Sequence, residues 1–248
     1  MGLLIVNADD LGLDVSTTDS ILRCFRAGRV SSASALVWMS DSRRAAELAR
    51  DANLPIRLHL NLTEPFTDPS VPADVKDRQA GMARHFARRP SAYWICNPLR
   101  QSMIEACIRD QMHEFQRLYG EPPRDVDGHQ HVHTCLNVLL ARPLRHVEAM
   151  RATFNLPPDD QVTTRRAVRW LINRVVRLRF ESTQWFTYLR KADSCRSFQD
   201  LAGIIDRATT ASVELMTHPG VEDECEVLMS SQWFQVIASA PLGTLKDL

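Results

Sequence analysis

Lysine is nearly missing from this chain of 248 residues: only Lys76, Lys191 and Lys246 occur, and arginine supplies the rest of the 30 basic residues. Thirty acidic residues balance them, so the formal charge is zero and no general attraction to nucleic acid is expected. No apolar run reaches about 18 residues, so no membrane-spanning helix is expected. The six cysteines (Cys24, Cys96, Cys107, Cys135, Cys195, Cys225) contain no C-x-x-C pair, and MGLLIVNADD at the start has no basic segment before its apolar one. Free, mostly buried thiols in a reducing cytoplasm are therefore expected. G-x-S-x-G, G-x-x-x-x-G-K-[ST], G-x-G-x-x-G and H-E-x-x-H are absent as well, which removes serine-hydrolase, P-loop, Rossmann and zincin chemistry.

What is present is an apolar fraction of 44%, enough for a large core, on a length that one α/β barrel domain would use entirely. Leu3 to Val6 reads as a strand buried on both faces. A helix from about Ser16 to Ala27 follows and stops at Gly28. Strand 31–39, helix 42–50, strand 56–62 and helix 99–119 continue the alternation. Segments 125–133 and 148–153 read as further strands, and 213–216 as another. Strand and helix in turn predict parallel βα units in a single α/β domain.

Four strand ends release polar side chains: Asp9-Asp10, His59, the run Asp127-x-His129-x-His131-x-His133, and His218. Strand C-termini converge on the active-site face of α/β barrels, so these residues are expected to form one site. Taken singly, Asp9-Asp10 is equally a helix cap, His59 a satisfied buried histidine and His218 a loop histidine. In an extended 125–133 segment the carboxylate and three imidazoles would share one face, an arrangement suited to metal. Metal-assisted hydrolysis is the reading these residues leave. Its rivals are a two-metal phosphoesterase and a non-catalytic barrel that binds sugar or metal.

N-A-D-D-L-G at 7–12, L-H-L-N-L-T-E at 58–64, D-x-D-G-H-Q-H-V-H at 125–133 and E-L-M-T-H-P-G at 214–220 resemble the YdjC-like carbohydrate deacetylase family, in family order. The resemblance implies a distorted TIM-like (β/α) barrel with its site at the C-terminal ends of the strands. It also implies removal of acetyl groups from N-acetylated sugars with one divalent metal ion, Mg2+ or Zn2+. By position it makes Asp10, His59 and His129 the metal ligands, Asp9 the general base and His218 the general acid. Asp127, His131, His133 and Arg151 are expected to support these groups or touch substrate. Leu11 replaces the family's usual aromatic after the paired Asp, and the segment beyond Pro65 matches poorly.

Two stretches fall outside the motifs. Residues 65–90 are expected to form a lid or insertion, with Phe66, His85 and Phe86 available to stack on a sugar. Residues 165–191 read as one basic amphipathic helix with Val168, Leu171, Ile172, Val175 and Leu178 at helical spacing. Either its apolar stripe packs inward, or the helix docks peripherally on an anionic surface. A small carbohydrate or glycoconjugate is the expected partner, with a homodimer an open alternative.

Overall fold

The computed structural model describes residues 2–88, 96–155, 163–189 and 195–248. Seven parallel strands form one sheet in the order β5-β4-β3-β2-β1-β7-β6. They are β1 (Leu3–Leu11), β2 (Ser32–Ala35), β3 (Ile56–Leu60), β4 (Asp125–Gly128), β5 (Ala149–Met150), β6 (Trp185–Tyr188) and β7 (Ser212–Thr217). The two edges meet through the main chain: Met150 donates to the Glu181 carbonyl at 2.9 Å and Glu181 donates to Glu148 at 2.9 Å. The sheet thus curls into a distorted barrel with helices around it.

β1 lies inside the sheet between β2 and β7, and Leu3 through Val6 are buried as a two-sided apolar strand requires. Leu4 and Val6 join the main core. Leu3 and Ile5 meet Ala149 and Leu245 in a separate small cluster. There the C-terminal segment is tied to β1, since Leu4 donates to Pro241 O at 2.8 Å and Gly243 donates to Leu4 O at 3.0 Å.

The helices are α1 (Val15–Arg26), α2 (Ser42–Asp51), α3 (Ala73–Arg88), α4 (Pro98–Tyr119), α5 (Leu136–Leu139), α6 (Thr163–Arg179), α7 (Cys195–Ala208), α8 (Glu222–Met229) and α9 (Ser231–Ile237). Asp14 caps α1 by accepting from Thr17 N at 2.8 Å. Gly120, at φ 87°, ends α4 in the left-handed conformation that glycine tolerates without strain.

Two expectations change, and part of a third does. The 125–133 run is not one strand: β4 stops at Gly128, and Gln130 and His131 take left-handed angles (φ 50° and 60°) in a tight turn. The 165–191 stretch is not one helix either. α6 ends at Arg179, and the aromatic and β-branched sequence Trp185-Phe186-Thr187-Tyr188 forms β6; Arg190 and Lys191 lie outside the described residues. Between Pro65 and Arg88 the chain builds α3, whose Gln79 Nε2 donates to the carbonyls of Asn61 (3.0 Å) and Glu64 (2.7 Å). Phe66 and Phe86 are buried, so they are closed to a sugar as the chain stands. Residues 89 and 90 lie outside the described residues.

Candidate active site

β1 carries an irregularity in its pairing with β2 between Ala8 and Leu11, and Asp10 within it has φ 72°. A bulge with a left-handed residue re-aims side chains at the end of a strand. Its effect is to let both neighbouring carboxylates serve one site, where regular alternation would send them to opposite faces. Asp9 faces downward into a buried ionic layer, and Asp10 meets two histidines above it.

The His59 ring, on β3, is held between the two. Nδ1 donates to Asp127 Oδ1 at 2.7 Å, while Nε2 lies 3.3 Å from Asp10 Oδ1 and 3.9 Å from Asp9 Oδ2. β3 and β4 pair with His59 level with Asp127, which puts the two side chains on the same face. His129, the first residue past β4, sets Nδ1 at 3.0 Å from Asp10 Oδ1. Its Nε2 is 3.2 Å from Glu64 Oε1. The two imidazoles stand nearly perpendicular, with ring centroids 5.6 Å apart. Asp10, His59 and His129 offer one ligand atom each, all within 4.8 Å of one another.

Below them lies a layer with almost no access to solvent. Arg151, 0% exposed at the end of β5, grips Asp9 with two parallel bonds, Nη1 to Oδ2 and Nη2 to Oδ1, each 2.7 Å. Its Nη2 is also 2.7 Å from Asp127 Oδ2, and Nε donates to Glu214 Oε1 at 2.8 Å. Arg57 donates to the same Glu214 oxygen at 2.8 Å. Asn7 Nδ2 donates to Asp9 Oδ1 at 2.8 Å, and Ser34 Oγ donates to Asp127 Oδ2 at 2.6 Å.

These partners set the protonation states. Burial would raise the Asp9 carboxyl, but Arg151 and then His59 hold it well below the usual carboxylate range. Asp127 is brought to about 2 in the same way, against its burial, by Arg151 and His59. Burial disfavours the charged His59 ring, yet Asp127 and Asp9 push it up to about 10. Burial also opposes the charged form of His129, and its hydrogen bond to Asp10 outweighs that and raises it.

His218 follows β7. Its main-chain N–H donates to Glu224 Oε2 at 2.6 Å and its Nδ1 lies 3.4 Å from Glu224 Oε1. Burial is outweighed by Glu224, with Asp9 helping, and the His218 pKa rises. The other two histidines of the 125–133 run do not share the face of His129. His131 stands edge-on to Phe154 at 4.7 Å, and burial, then Arg151, lowers it to about 4. His133 is wholly buried, neither ring nitrogen has a hydrogen-bond partner among the described residues, and burial with His131 nearby lowers it to about 3. The left-handed turn at Gln130 and His131 is what breaks the shared face.

The family described as YdjC-like protein matches residues 3–239. The chain belongs to the YdjC-like family. A chitooligosaccharide deacetylase of Yersinia enterocolitica is 29% identical over 234 residues, covering 92% of this chain and 85% of that protein. A carbohydrate deacetylase of Danio rerio is 34% identical over 137 residues, covering 54% of this chain but only 43% of its own length. An Enterococcus faecalis V583 structure, described for cellobiose-phosphate cleavage, superposes with a TM-score of 0.73 at 21% identity, covering 99% of this chain and 98% of that one. That likeness carries the fold.

In this YdjC-like chain the donor set fits a divalent metal ion. Two imidazoles and one carboxylate converge, and His59 has its remote nitrogen fixed by a carboxylate, the support that metal-binding histidines commonly have. The carboxylates point the same way, because Asp10 Oδ1 at 3.3 Å and Asp9 Oδ2 at 3.9 Å favour a positive charge at His59 Nε2. Sequence reasoning missed Glu64, Glu214, Arg57, Asn7, Ser34 and Glu224. Glu214 carried a signal: an acid inside the buried run Val213-Glu214-Leu215 needs a cation, and Arg57, inside another buried strand, needs an anion.

Proposed function

We propose that this chain hydrolyses the acetamido bond of an N-acetylated sugar, releasing acetate and the free amine. The observation that carries the reading is the division between the two aspartates. Asp9 is held ionised by Arg151, while its neighbour Asp10 sits within one small sphere with His59 and His129. The names of the Yersinia and Danio relatives support carbohydrate deacetylation.

Asp10, His59 and His129 would hold the metal ion, which when bound would polarise the amide carbonyl. Asp9 accepts the proton of the attacking water at Oδ2. Oδ1 already receives bonds from Arg151 and Asn7, whereas Oδ2 receives one from Arg151 and keeps an open acceptor direction. Arg151 fixes the angle of that carboxylate. It has no exposed surface, so its part is to position Asp9 and not to touch sugar. His218, with Nδ1 turned to Glu224, gives the proton of Nε2 to the departing amine. Without that proton the tetrahedral species would expel the water oxygen and revert.

Asp9, His59 and Asp127 also lie close enough to suggest a second cation, as a two-metal phosphoesterase requires. Arg151 already occupies that role, neutralising Asp9 and Asp127 at 2.7 Å. Incubation of the protein, loaded with Mg2+ or Zn2+, with a panel of N-acetylated sugars, detecting free acetate, tests the reading. Acetate from at least one member is expected. No acetate from any, with phosphate released from phosphoesters, would replace it. Alanine at His59 or His129 is expected to remove metal and activity together.

A further inference from the structure

We propose that the outward face of α6 docks this protein on an anionic phospholipid surface. Eleven large apolar side chains are exposed among the described residues, and Val168 (41%), Trp170 (62%), Leu171 (56%) and Leu178 (75%) all belong to this one helix. The core-facing side of α6 is made by Ile172, Asn173 and Val176, all buried, with Val175 half-buried. At 100° per residue, Trp170, Leu171, Arg174 and Leu178 fall together on the opposite side, away from the core. An ordinary barrel helix keeps its long apolar residues on the core side and its polar ones in water. Here both sides are apolar.

The charge says what would cover the outer side. Residues 163–179 hold Arg165, Arg166, Arg169, Arg174, Arg177 and Arg179 and no acid. Among the described residues no carboxylate pairs with Arg166, Arg174, Arg177 or Arg179. Arg174 lies over the Trp170 ring at 5.7 Å, and Arg177 donates to the carbonyls of Thr183 and Gln184. A second copy of the chain meeting this face through a two-fold axis would set arginine against arginine. A lipid headgroup layer satisfies both parts: phosphates pair with the guanidinium groups, and Trp170, Leu171 and Leu178 enter the acyl boundary. Indole and arginine side by side are common at that depth.

α6 is also tied to the site's rim. Thr153 N, two residues beyond Arg151, donates to Asn173 Oδ1 at 2.7 Å, and Arg169 lies 5.6 Å from the Phe154 ring. α6 is thus joined to the segment that follows Arg151. The chemistry of the site and this surface stand independently, since neither needs the other to be right.

Co-sedimentation with large vesicles of phosphatidylcholine alone, or mixed with phosphatidylglycerol, tests the proposal. Binding is expected to the anionic vesicles at low salt, to fall steeply in about 0.5 M salt, and to be absent for the neutral ones. Arg166→Gln and Arg174→Gln should each weaken partitioning by roughly fivefold, the equivalent of about 1 kcal/mol per surface arginine. Trp170→Gln with Leu178→Gln should weaken it further, and circular dichroism should be unchanged because these side chains are exposed. No binding to anionic vesicles at low salt overturns the proposal. Equal binding by the variants, or dimerisation that Trp170→Gln abolishes, overturns it too.

Discussion

Arg151, Asp127 and Glu214 have no exposed side-chain surface, whereas Glu64 and His218, at the rim of the same site, keep 42% and 32% of theirs. In the lower layer every carboxylate has a guanidinium partner. Asp9, Asp127 and Glu214 are answered by Arg151 and Arg57 within 2.7 to 2.8 Å, and asparagine and serine fill further bonds. The upper layer is open, since His129 rests between Asp10 and a half-exposed Glu64, and His218 leans on Glu224. Two carboxylates adjacent in sequence are thereby given different environments. Asp9 is spoken for by a guanidinium, and Asp10 by imidazoles that a cation can displace from it.

Removing the cation of the lower layer should have the largest effect. Arg151→Met strips Asp9 of its guanidinium and leaves Asp127 and Glu214 with only His59 and Arg57 to answer them, a fault that costs about 3–5 kcal/mol. Denaturant unfolding checks it, and an unchanged midpoint would mean the layer's charges are balanced elsewhere.

At the rim the corresponding change should spare the fold and damage the chemistry. His218→Asn is expected to lower acetate release by about 10²–10⁴-fold, as loss of a general acid does. In the intact protein, release should fall as pH rises through the raised His218 pKa, because only the imidazolium has a proton to give. Glu224→Gln removes the leading cause of that rise, so the alkaline limb should move to lower pH. For stability the sign is the same. A raised histidine pKa contributes stability below its unfolded value, near 6.5, and that contribution disappears as pH rises through the folded value.

A smaller, more diagnostic effect belongs to His59. Asp127 and Asp9 push its pKa up to about 10 against burial, so metal uptake at neutral pH is expected to release a proton, and affinity should fall as pH falls. Calorimetry of Zn2+ binding in two buffers of different ionisation enthalpy counts it. No release would place the proton elsewhere. The smallest change is expected from Glu64→Gln, whose half-exposed ion pair with His129 should be worth less than about 1 kcal/mol in unfolding.

Much of this is legible in the sequence. Parallel strands ending in Asp9-Asp10, His59 and His218 are what the alternation of apolar and polar residues prescribes, and the strand order brings those ends together. The 125–133 run misled because alternating residues imply an extended chain only while the backbone stays extended. Gly128 offers no side chain where an added Cβ would come within 2.8 Å of His133 N, so the chain folds back tightly there, and only Asp127 and His129 keep the site's face. A single helix over 165–191 does not form for a related reason: arginine and leucine favour helix only as far as Arg179, and the aromatic run from Trp185 switches the chain to strand. The buried ion pairs were invisible for want of partners. Glu214, Arg57 and Arg151 are far apart in the chain, and only the sheet's curl shows which charge answers which.

Whether the two aspartates divide the work is settled most directly by Asp9→Asn, with metal content and acetate release measured on the same sample. The account predicts about one divalent metal ion per chain, as in the unaltered protein, and acetate release lower by about 10²–10⁴-fold. Loss of the metal along with the activity would make Asp9 a ligand and contradict it, and full activity with the metal retained would contradict it equally.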